Sequence, residues 1–244
     1  MDHVEMQVQT GHHTPPPAGV PYRPVAVHDA PVRCETDGAV WHVRNTEPLA
    51  DHPQRMTDCL VAGAQRHPER VLAARRGPDG VWIKLTYREM LERARAIGQA
   101  LLDRGVSAER PLAILSGNDL EHLQLALGAM WAGVPYAPVS PPYALVSTDF
   151  GKLRHVFDVL TPGLVYAADG GAFDKAIDAV VPEGIEVITR DGVLPGRTVT
   201  AFDTLLQTPV TTADAAQADV GPDTLVKILF TSGSTRSPKA VPTT

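Results

Sequence analysis

The sequence predicts an α/β fold: a layered, mostly parallel sheet with helices on both faces, preceded by N-terminal hairpins. From residue 86 onward, short apolar runs alternate with longer segments of helical periodicity. Strands separated by helices of this length pair in parallel through right-handed crossovers. Before residue 86, two turn signals separate short alternating runs, as in hairpins. The composition, 43% hydrophobic and 20% charged, is that of an ordinary globular protein.

The N-terminal part of the chain is predicted to hold a tail, two hairpins and one helix. Residues 1–24 are rich in Pro, His, Gly and Thr, and we expect them to be a disordered tail. Asp37-Gly38 marks the turn of the first hairpin, and the GPDG segment at residues 77–80 marks the second. Between them, residues 54–66 are predicted to form a helix that ends before Pro68.

Helices and strands then alternate. Thr86 and Glu89 have the spacing of a capping box, so a helix is predicted to begin there and to end at Gly105. Asn118 or Asp119 can cap the next helix. Further helices are predicted over residues 119–131, 149–160 and 171–180, and a linker over about 208–222. The predicted strands are PLAILS (111–116), VPYAPV (134–139), GLVYAA (163–168), IEVIT (185–189), TLVKILFT (224–231) and KAVPTT (239–244).

Charge and composition argue against several classes of function. The chain has 22 basic and 28 acidic residues, a net charge of −6 and no basic block, which disfavours nucleic acid as a partner. No apolar signal core stands at the N-terminus, and the apolar region at 123–139 is broken by Gly133 and Pro135, so no membrane span is expected. Cys34 and Cys59 form no CxxC pair and are interpreted as free thiols. We therefore expect a soluble cytoplasmic protein.

A cluster of small hydroxyl residues follows the last long apolar strand. The sequence is F-T-S-G-S-T at residues 230–235, and Lys239 follows. In open α/β sheets, ligands bind beyond the carboxyl ends of strands, and successive backbone N–H groups in such a turn bind anions. The hydroxyls add donors and Lys239 adds a mobile positive charge. These features suit a polyphosphate, although Pro238, directly before the Lys, excludes the Walker loop.

The ordered pattern T-S-G-S-T-x-x-P-K resembles the phosphate-binding loop of the adenylate-forming superfamily. That superfamily includes acyl-CoA synthetases, luciferases and peptide-synthetase adenylation domains, and its pattern is F/Y-T-S-G-S/T-T-G-x-P-K-G. Arg236 and Ala240 stand where the family usually has Gly. The resemblance implies that the loop grips the β- and γ-phosphates of ATP, with Thr231 at its start. The residues to which it assigns this role are Ser232, Gly233, Ser234, Thr235 and Lys239.

The resemblance covers most of the chain after residue 30. It implies that residues 25–244 are the N-terminal part of an AMP-binding (adenylation) domain, truncated after the phosphate-binding loop. LTYREM (85–90) and the Gly/Ala-rich segment at 125–141 resemble family segments that support the fold and carry no chemistry. We expect the latter to be a helix packed tightly against a strand. Residues 140–169 resemble the feruloyl-CoA synthase branch, whose members activate hydroxycinnamic acids such as ferulate.

The resemblance also implies a reaction with two half-steps. The carboxylate attacks the α-phosphorus of Mg-ATP, giving an acyl adenylate and pyrophosphate, and the thiol of coenzyme A then displaces AMP. The implied cofactors are therefore ATP, Mg²⁺ and CoA. The family's adenine, ribose and magnesium motifs and the lysine of its mobile C-terminal domain do not occur in this sequence. The resemblance thus implies a fragment with no complete catalytic set and no metal ligands of its own, inactive when alone.

Two alternatives stay open. One is a fatty acyl-AMP ligase or an amino-acid adenylation domain of the same superfamily. The other is a natural short protein that acts as a non-catalytic nucleotide-binding or dimerising module, which leaves a homodimer open. In a chain that ends at residue 244, the predicted sheet would expose an edge and apolar faces, so we expect the isolated chain to be aggregation-prone.

Other candidate residues have structural interpretations. His122 and His155 fall in predicted helices and are interpreted as satisfied surface or interface residues. Asp149 is predicted to be a helix cap, and Trp131 and Tyr136 are predicted to be core residues. No His, Cys or Asp cluster has metal-ligand spacing, and neither Gly-x-Ser-x-Gly nor a strand-linked GxGxxG is present.

Overall fold

The computed structural model describes residues 31–231 and 237–244, and the chain divides into two compact units at residue 52. In the first unit, β1 (Val32–Asp37) and β2 (Val40–Asn45) form an antiparallel hairpin. Gly38 lies in its turn at a φ of 60°, which glycine adopts without steric cost. The first predicted hairpin is confirmed, while the predicted tail at 1–24 lies outside the described residues.

The second unit begins with a helix and a second hairpin. The helix is α1 (Met56–Arg66), and β3 (Val71–Arg76) pairs with β4 (Trp82–Thr86) in antiparallel orientation. Both elements were predicted at these places. The hairpin packs with α1 and the next helix around a small apolar cluster that includes Leu60 and Leu85.

From residue 87 onward the predicted alternation is confirmed. The helices are α2 (Tyr87–Asp103), α3 (Leu120–Ala132), α4 (Pro142–Leu145), α5 (Gly151–Leu160), α6 (Gly170–Val180), α7 (Asp203–Leu206) and α8 (Ala213–Asp219). The strands are β5 (Leu112–Leu115), β6 (Tyr136–Val139), β7 (Leu164–Asp169), β8 (Glu186–Asp191), β9 (Val199–Ala201), β10 (Lys227–Thr231) and β11 (Lys239–Thr243).

Seven of these strands form one sheet in the order β11-β10-β6-β5-β7-β8-β9. All neighbours pair in parallel except β11, which is antiparallel to β10. All four residues of β5 are buried, as are the first five of β7, because helices flank the sheet. The mixed α/β architecture with a mostly parallel sheet is therefore confirmed, and the returning strand predicted at KAVPTT is β11.

Side-chain caps set the points at which two helices begin. The hydroxyl of Thr86 accepts from the Glu89 N–H at 3.2 Å, and the Glu89 carboxylate accepts from the Thr86 N–H at 2.7 Å, so the predicted capping box is present. Asp119, and not Asn118, caps α3 by accepting from the His122 N–H at 2.7 Å. Each cap fixes where the chain leaves the sheet and turns into a helix.

The predicted linker at 208–222 is wrong in part, because it contains α8. This helix is short and made mostly of Ala and Asp, so it has no apolar stripe of its own to reveal it. The buried side chain of Gln99 holds its start instead: the amide oxygen accepts from the N–H groups of Thr211, Thr212 and Ala213 at 2.9, 2.7 and 2.9 Å. The short elements α4, β9 and α7 were not predicted from the sequence either.

Two glycines allow α2 and α3 to approach closely. A Cβ atom on Gly128 would lie 2.4 Å from the Cγ2 atom of Ile97, and one on Gly98 would lie 3.0 Å from the Gly128 carbonyl oxygen. Gly128, in the Gly/Ala-rich segment at 125–141, thus lies against α2. Among the described residues, no helix has both the length and the apolar content needed to cross a bilayer.

Candidate functional site

The predicted phosphate-binding loop connects β10 to β11. Thr231 is the last residue of β10 and Lys239 is the first of β11, and the two are register partners in the antiparallel ladder. Both are exposed. The remaining predicted site residues, Ser232, Gly233, Ser234 and Thr235, lie outside the described residues, as does Arg236. The structure therefore describes the two strand ends from which the loop leaves and returns.

The loop leaves the sheet at the edge where the parallel strands have their carboxyl ends. A cleft of about 420 Å³ lies there, beside the end of β10. It is lined by β10 and by the segments that follow β5 and β6; the lining residues include Ser116, Gly117, Asn118, His122, Ser140, Pro141 and Phe230. Ligands in α/β sheets of this kind sit at this edge. The topology thus sets the predicted loop beside a concave surface.

The return limb of the loop, residues 237–238, contacts helix α5. Pro238 is buried, and its carbonyl oxygen lies 2.9 Å from the Nε2 atom of His155. A carbonyl only accepts, so His155 donates this hydrogen bond. His155 is partly buried and has a partner, which confirms its interpretation as a satisfied residue. Its contact with the loop could not be read from the sequence, because the two residues are 83 positions apart.

A second concave surface lies between the return limb and the start of α5. This cleft of about 600 Å³ is lined by Ser237 together with Tyr143, Asp149 and Lys152. The Lys152 ammonium lies 5.5 Å from the centroid of the Tyr143 ring, a cation–π contact. Asp149 was predicted to cap this helix, but the N-cap position is Phe150. Asp149 lies one residue earlier and accepts from the Gly151 N–H at 3.0 Å, a hydrogen bond that holds its pKa below the usual aspartate range.

His122 also has hydrogen-bond partners at the edge of the sheet where the parallel strands have their carboxyl ends. Its Nδ1 atom lies 2.9 Å from the Ser116 hydroxyl oxygen and 3.2 Å from the Gly117 carbonyl oxygen. These contacts tie the first turn of α3 to the segment after β5. His122 is therefore a satisfied residue, as the sequence analysis predicted, although it lines the cleft beside β10.

Paired charges surround the start of α3. The guanidinium of Arg190, at the end of β8, lies 3.3 Å from Asp119 and 3.4 Å from Glu121, and Arg75 lies 3.2 Å from Glu121. Burial raises the pKa of the Asp119 carboxyl, against the opposing hydrogen bond from the His122 N–H. These ion pairs join α3 to β3 and β8, so their role is to hold this edge together. Removing one partner would leave a desolvated charge.

The predicted core residues and thiols lie where expected. Trp131 and Tyr136 are each only 6% exposed, and the Trp131 indole N–H donates to Asp214 at 3.1 Å. Cys34 and Cys59 are free thiols. Across residues 31–231 and 237–244, no group of three or more His, Cys, Asp or Glu side chains could hold a metal ion.

Comparison with known proteins identifies the family. Residues 60–244 match the AMP-binding enzyme family, so the chain belongs to it. Indigoidine synthase from Streptomyces lavendulae is 27% identical over 195 residues, which cover 80% of this chain and 14% of that protein. The family-level resemblance carried by the phosphate-loop pattern is therefore confirmed.

Solved structures show the same fold. The fatty acyl-adenylate ligase from L. pneumophila, in complex with acyl adenylate and pyrophosphate, superposes with a TM-score of 0.55 at 19% identity, over 78% of this chain and 30% of that one. McyG A-PCP, complexed with phenylalanyl-adenylate, gives a TM-score of 0.60 at 19% identity, over 80% of this chain and 33% of that one. The chain thus spans a third or less of each of these relatives. At this identity the likeness of the two solved structures establishes the fold alone.

Proposed function

We propose that this chain supplies the ATP phosphate-binding part of an adenylate-forming enzyme, which activates a carboxylic acid as an acyl adenylate. The observation that carries the proposal is the T-S-G-S-T-x-x-P-K pattern between two paired strand ends, in a chain of the AMP-binding enzyme family. A phosphate loop needs close backbone approach, hydroxyl donors and a cation. The residues from Thr231 to Lys239 supply all three.

The proposed role of the loop is electrostatic. When the carboxylate attacks ATP, a bond forms between a carboxylate oxygen and the α-phosphorus. The bond between the α-phosphorus and the pyrophosphate oxygen breaks. Negative charge develops on the departing phosphates, and donors fixed in advance stabilise that charge. In this proposal the loop N–H groups, the hydroxyls of Ser232, Ser234 and Thr235 and the Lys239 ammonium provide them. Lys239 acts as a point charge.

The residues at the described loop ends suit an anion. Thr231 offers a hydroxyl and Lys239 an ammonium, and the described part of the chain holds no cluster of metal-binding side chains. Mg²⁺ therefore fits this proposal as part of Mg-ATP, held through phosphate oxygens. When bound, it would neutralise phosphate charge.

For the substrate, we propose an aromatic, hydroxycinnamic acid such as ferulate, with transfer to CoA. The stretch at 140–169, which resembles the feruloyl-CoA synthase branch, supports this choice. A second candidate is an amino acid or fatty acid, delivered to a carrier protein or retained as the adenylate. The acyl adenylate bound to the L. pneumophila ligase and the phenylalanyl-adenylate bound to McyG A-PCP, two proteins of this fold, support that candidate about as well.

Pyrophosphate exchange tests both levels of the proposal. The protein that carries this chain is incubated with ATP, Mg²⁺ and labelled pyrophosphate, with ferulate, phenylalanine or a long-chain fatty acid. Exchange that depends on any one acid supports adenylate formation, and ferulate as the best acid supports the aromatic proposal. Thioester formation with added CoA then separates CoA transfer from carrier-protein transfer. A folded protein that gives no exchange with a broad panel of carboxylic acids overturns the proposed function.

A further inference from the structure

The contact between His155 and the loop's return limb has a use beyond local packing. The His155 Nε2 atom lies 2.9 Å from the Pro238 carbonyl oxygen, a good hydrogen-bond distance. Because Nε2 must carry the hydrogen, the neutral Nε2–H tautomer and the imidazolium can both make this bond. The contact therefore does not depend on the charge of the imidazole.

His155 is held on a rigid element. It lies on α5, whose Leu153, Val156, Phe157 and Leu160 are buried in the core of the sheet domain. The imidazole thus projects from a helix that is fixed by packing. A hydrogen bond from such a helix restrains its partner more than one from a surface loop does.

The hydrogen bond from His155 satisfies the carbonyl group of Pro238. Pro238 is buried and has no backbone N–H, so its carbonyl is its only polar backbone group. Buried carbonyls need a hydrogen-bond partner, and His155 provides one. Loss of the imidazole would leave that carbonyl to turn toward solvent.

The bond also fixes the residue that carries the loop's positive charge. The Pro238 carbonyl and the Lys239 N–H belong to one planar peptide unit, so orienting the first orients the second. Lys239 then pairs with Thr231 at the start of β11. A small displacement of a positioned group lowers the rate of catalysis disproportionately. A hydrogen bond to the Pro238 carbonyl therefore restrains the backbone from which the Lys239 side chain leaves.

We infer that His155 is a positioning residue for the phosphate-binding loop, acting on Lys239 through the Pro238 carbonyl. This inference rests on the proposed function, since it assigns His155 to ATP binding and not to binding of the acid. The substitutions His155→Leu, His155→Asn and His155→Gln separate the bond from the bulk of the side chain. The Gln amide nitrogen reaches the position of Nε2, whereas the Asn amide nitrogen reaches only that of Nδ1.

The test measures the KM for ATP and for the acid, and the Kd for Mg-ATP, in the protein that carries this chain. Loss of one backbone hydrogen bond should raise the KM and Kd for ATP about three- to tenfold in His155→Leu and His155→Asn. The KM for the acid should stay unchanged, and His155→Gln should stay within about twofold of the natural protein. Amide hydrogen exchange of the 237–241 segment should be faster in His155→Leu than in His155→Gln.

Three results would overturn the inference. Unchanged ATP constants in His155→Leu would show that the bond does not position the loop. An equal rise in the constants for ATP and acid, with a lower melting temperature, would show a purely structural role. A natural protein that neither exchanges pyrophosphate nor binds Mg-ATP would overturn the proposed function and this inference together. If it binds Mg-ATP but no acid supports exchange, the proposed function alone fails, and the Kd values still decide the role of His155.

Discussion

Thr231 and Lys239 face each other across the last pair of the β10–β11 ladder. The ladder runs from the Lys227–Thr243 pair to this one, and β10 also pairs with β6 at its other end. Both ends of the predicted phosphate loop are therefore fixed by strand hydrogen bonds. The two residues at which the loop leaves and rejoins the sheet therefore keep their positions without a ligand.

Replacing Lys239 should weaken ATP binding. In Lys239→Met the stem length is nearly kept and the charge is lost, so a charge-assisted contact disappears; we expect the Kd for Mg-ATP to rise about ten- to a hundredfold. Lys239→Arg keeps the charge and should lose less. Lys227→Met, at the opposite end of the same ladder, is the matched control and should change the Kd by less than about twofold. Equal effects at the two positions would contradict a local role for Lys239.

Asp214 should contribute stability that depends on pH. The hydrogen bond from the Arg95 guanidinium, with a further one from Trp131, holds its pKa below the usual aspartate range. A lowered pKa in the folded state means that the stabilisation is present above the ordinary aspartate pKa of about 4 and is lost as the pH falls further. The melting temperature of Asp214→Asn should therefore lie below that of the natural protein near neutral pH, and the gap should close in acid. A gap that persists at low pH would disprove the ionic origin, and exposed Asp158→Asn should show no gap.

The order of the main helices and strands was readable from the sequence because each of them carries its own signal. β5 and β7 are short apolar runs, and α2 has a capping box and an apolar stripe. The hairpins are marked by glycines, and Gly38 and Gly80 both have positive φ. For elements of this kind, local chemistry and the final fold agree.

What the sequence did not reveal depends on distant residues. α8 has no apolar stripe of its own, and it is held by Gln99, more than a hundred positions away along the chain. The bond between His155 and Pro238 likewise exists only once α5 and β11 are in place. For the candidate site, the loop pattern predicted a phosphate-binding loop after the strand that is β10. The hydrogen bond from the loop to α5 and the two adjoining clefts could not be predicted, because they depend on the topology.

Gln99 should be important for the stability of α8. Its side chain is 2% exposed, and in Gln99→Met the N–H groups of Thr211, Thr212 and Ala213 lose their acceptor. Because the Ala213 N–H is buried and an unsatisfied buried donor is costly, we expect a local destabilisation of about 1–3 kcal/mol. Faster amide hydrogen exchange over residues 211–219 would measure it. Glu92→Gln, on the exposed face of the same helix, should leave that exchange unchanged, and similar exchange in both variants would refute the assignment.

Gly128 should not accept a larger residue. The added methyl group of Gly128→Ala would lie 2.4 Å from the Cγ2 atom and 2.7 Å from the Cβ atom of Ile97, so α2 and α3 must separate. Overpacking of this kind costs about 1–3 kcal/mol, and it outweighs the better helix propensity of Ala, worth about 1 kcal/mol. We expect a lower melting temperature for Gly128→Ala.

Gly184→Ala is the control: an added Cβ there meets nothing within 4 Å, so the melting temperature should stay nearly unchanged. A second substitution, Ile97→Leu, keeps the side-chain volume but removes the Cγ2 branch that meets the added methyl group, and it should restore part of the loss. If Gly128→Ala instead raises the melting temperature, the helices are not in close contact at this point.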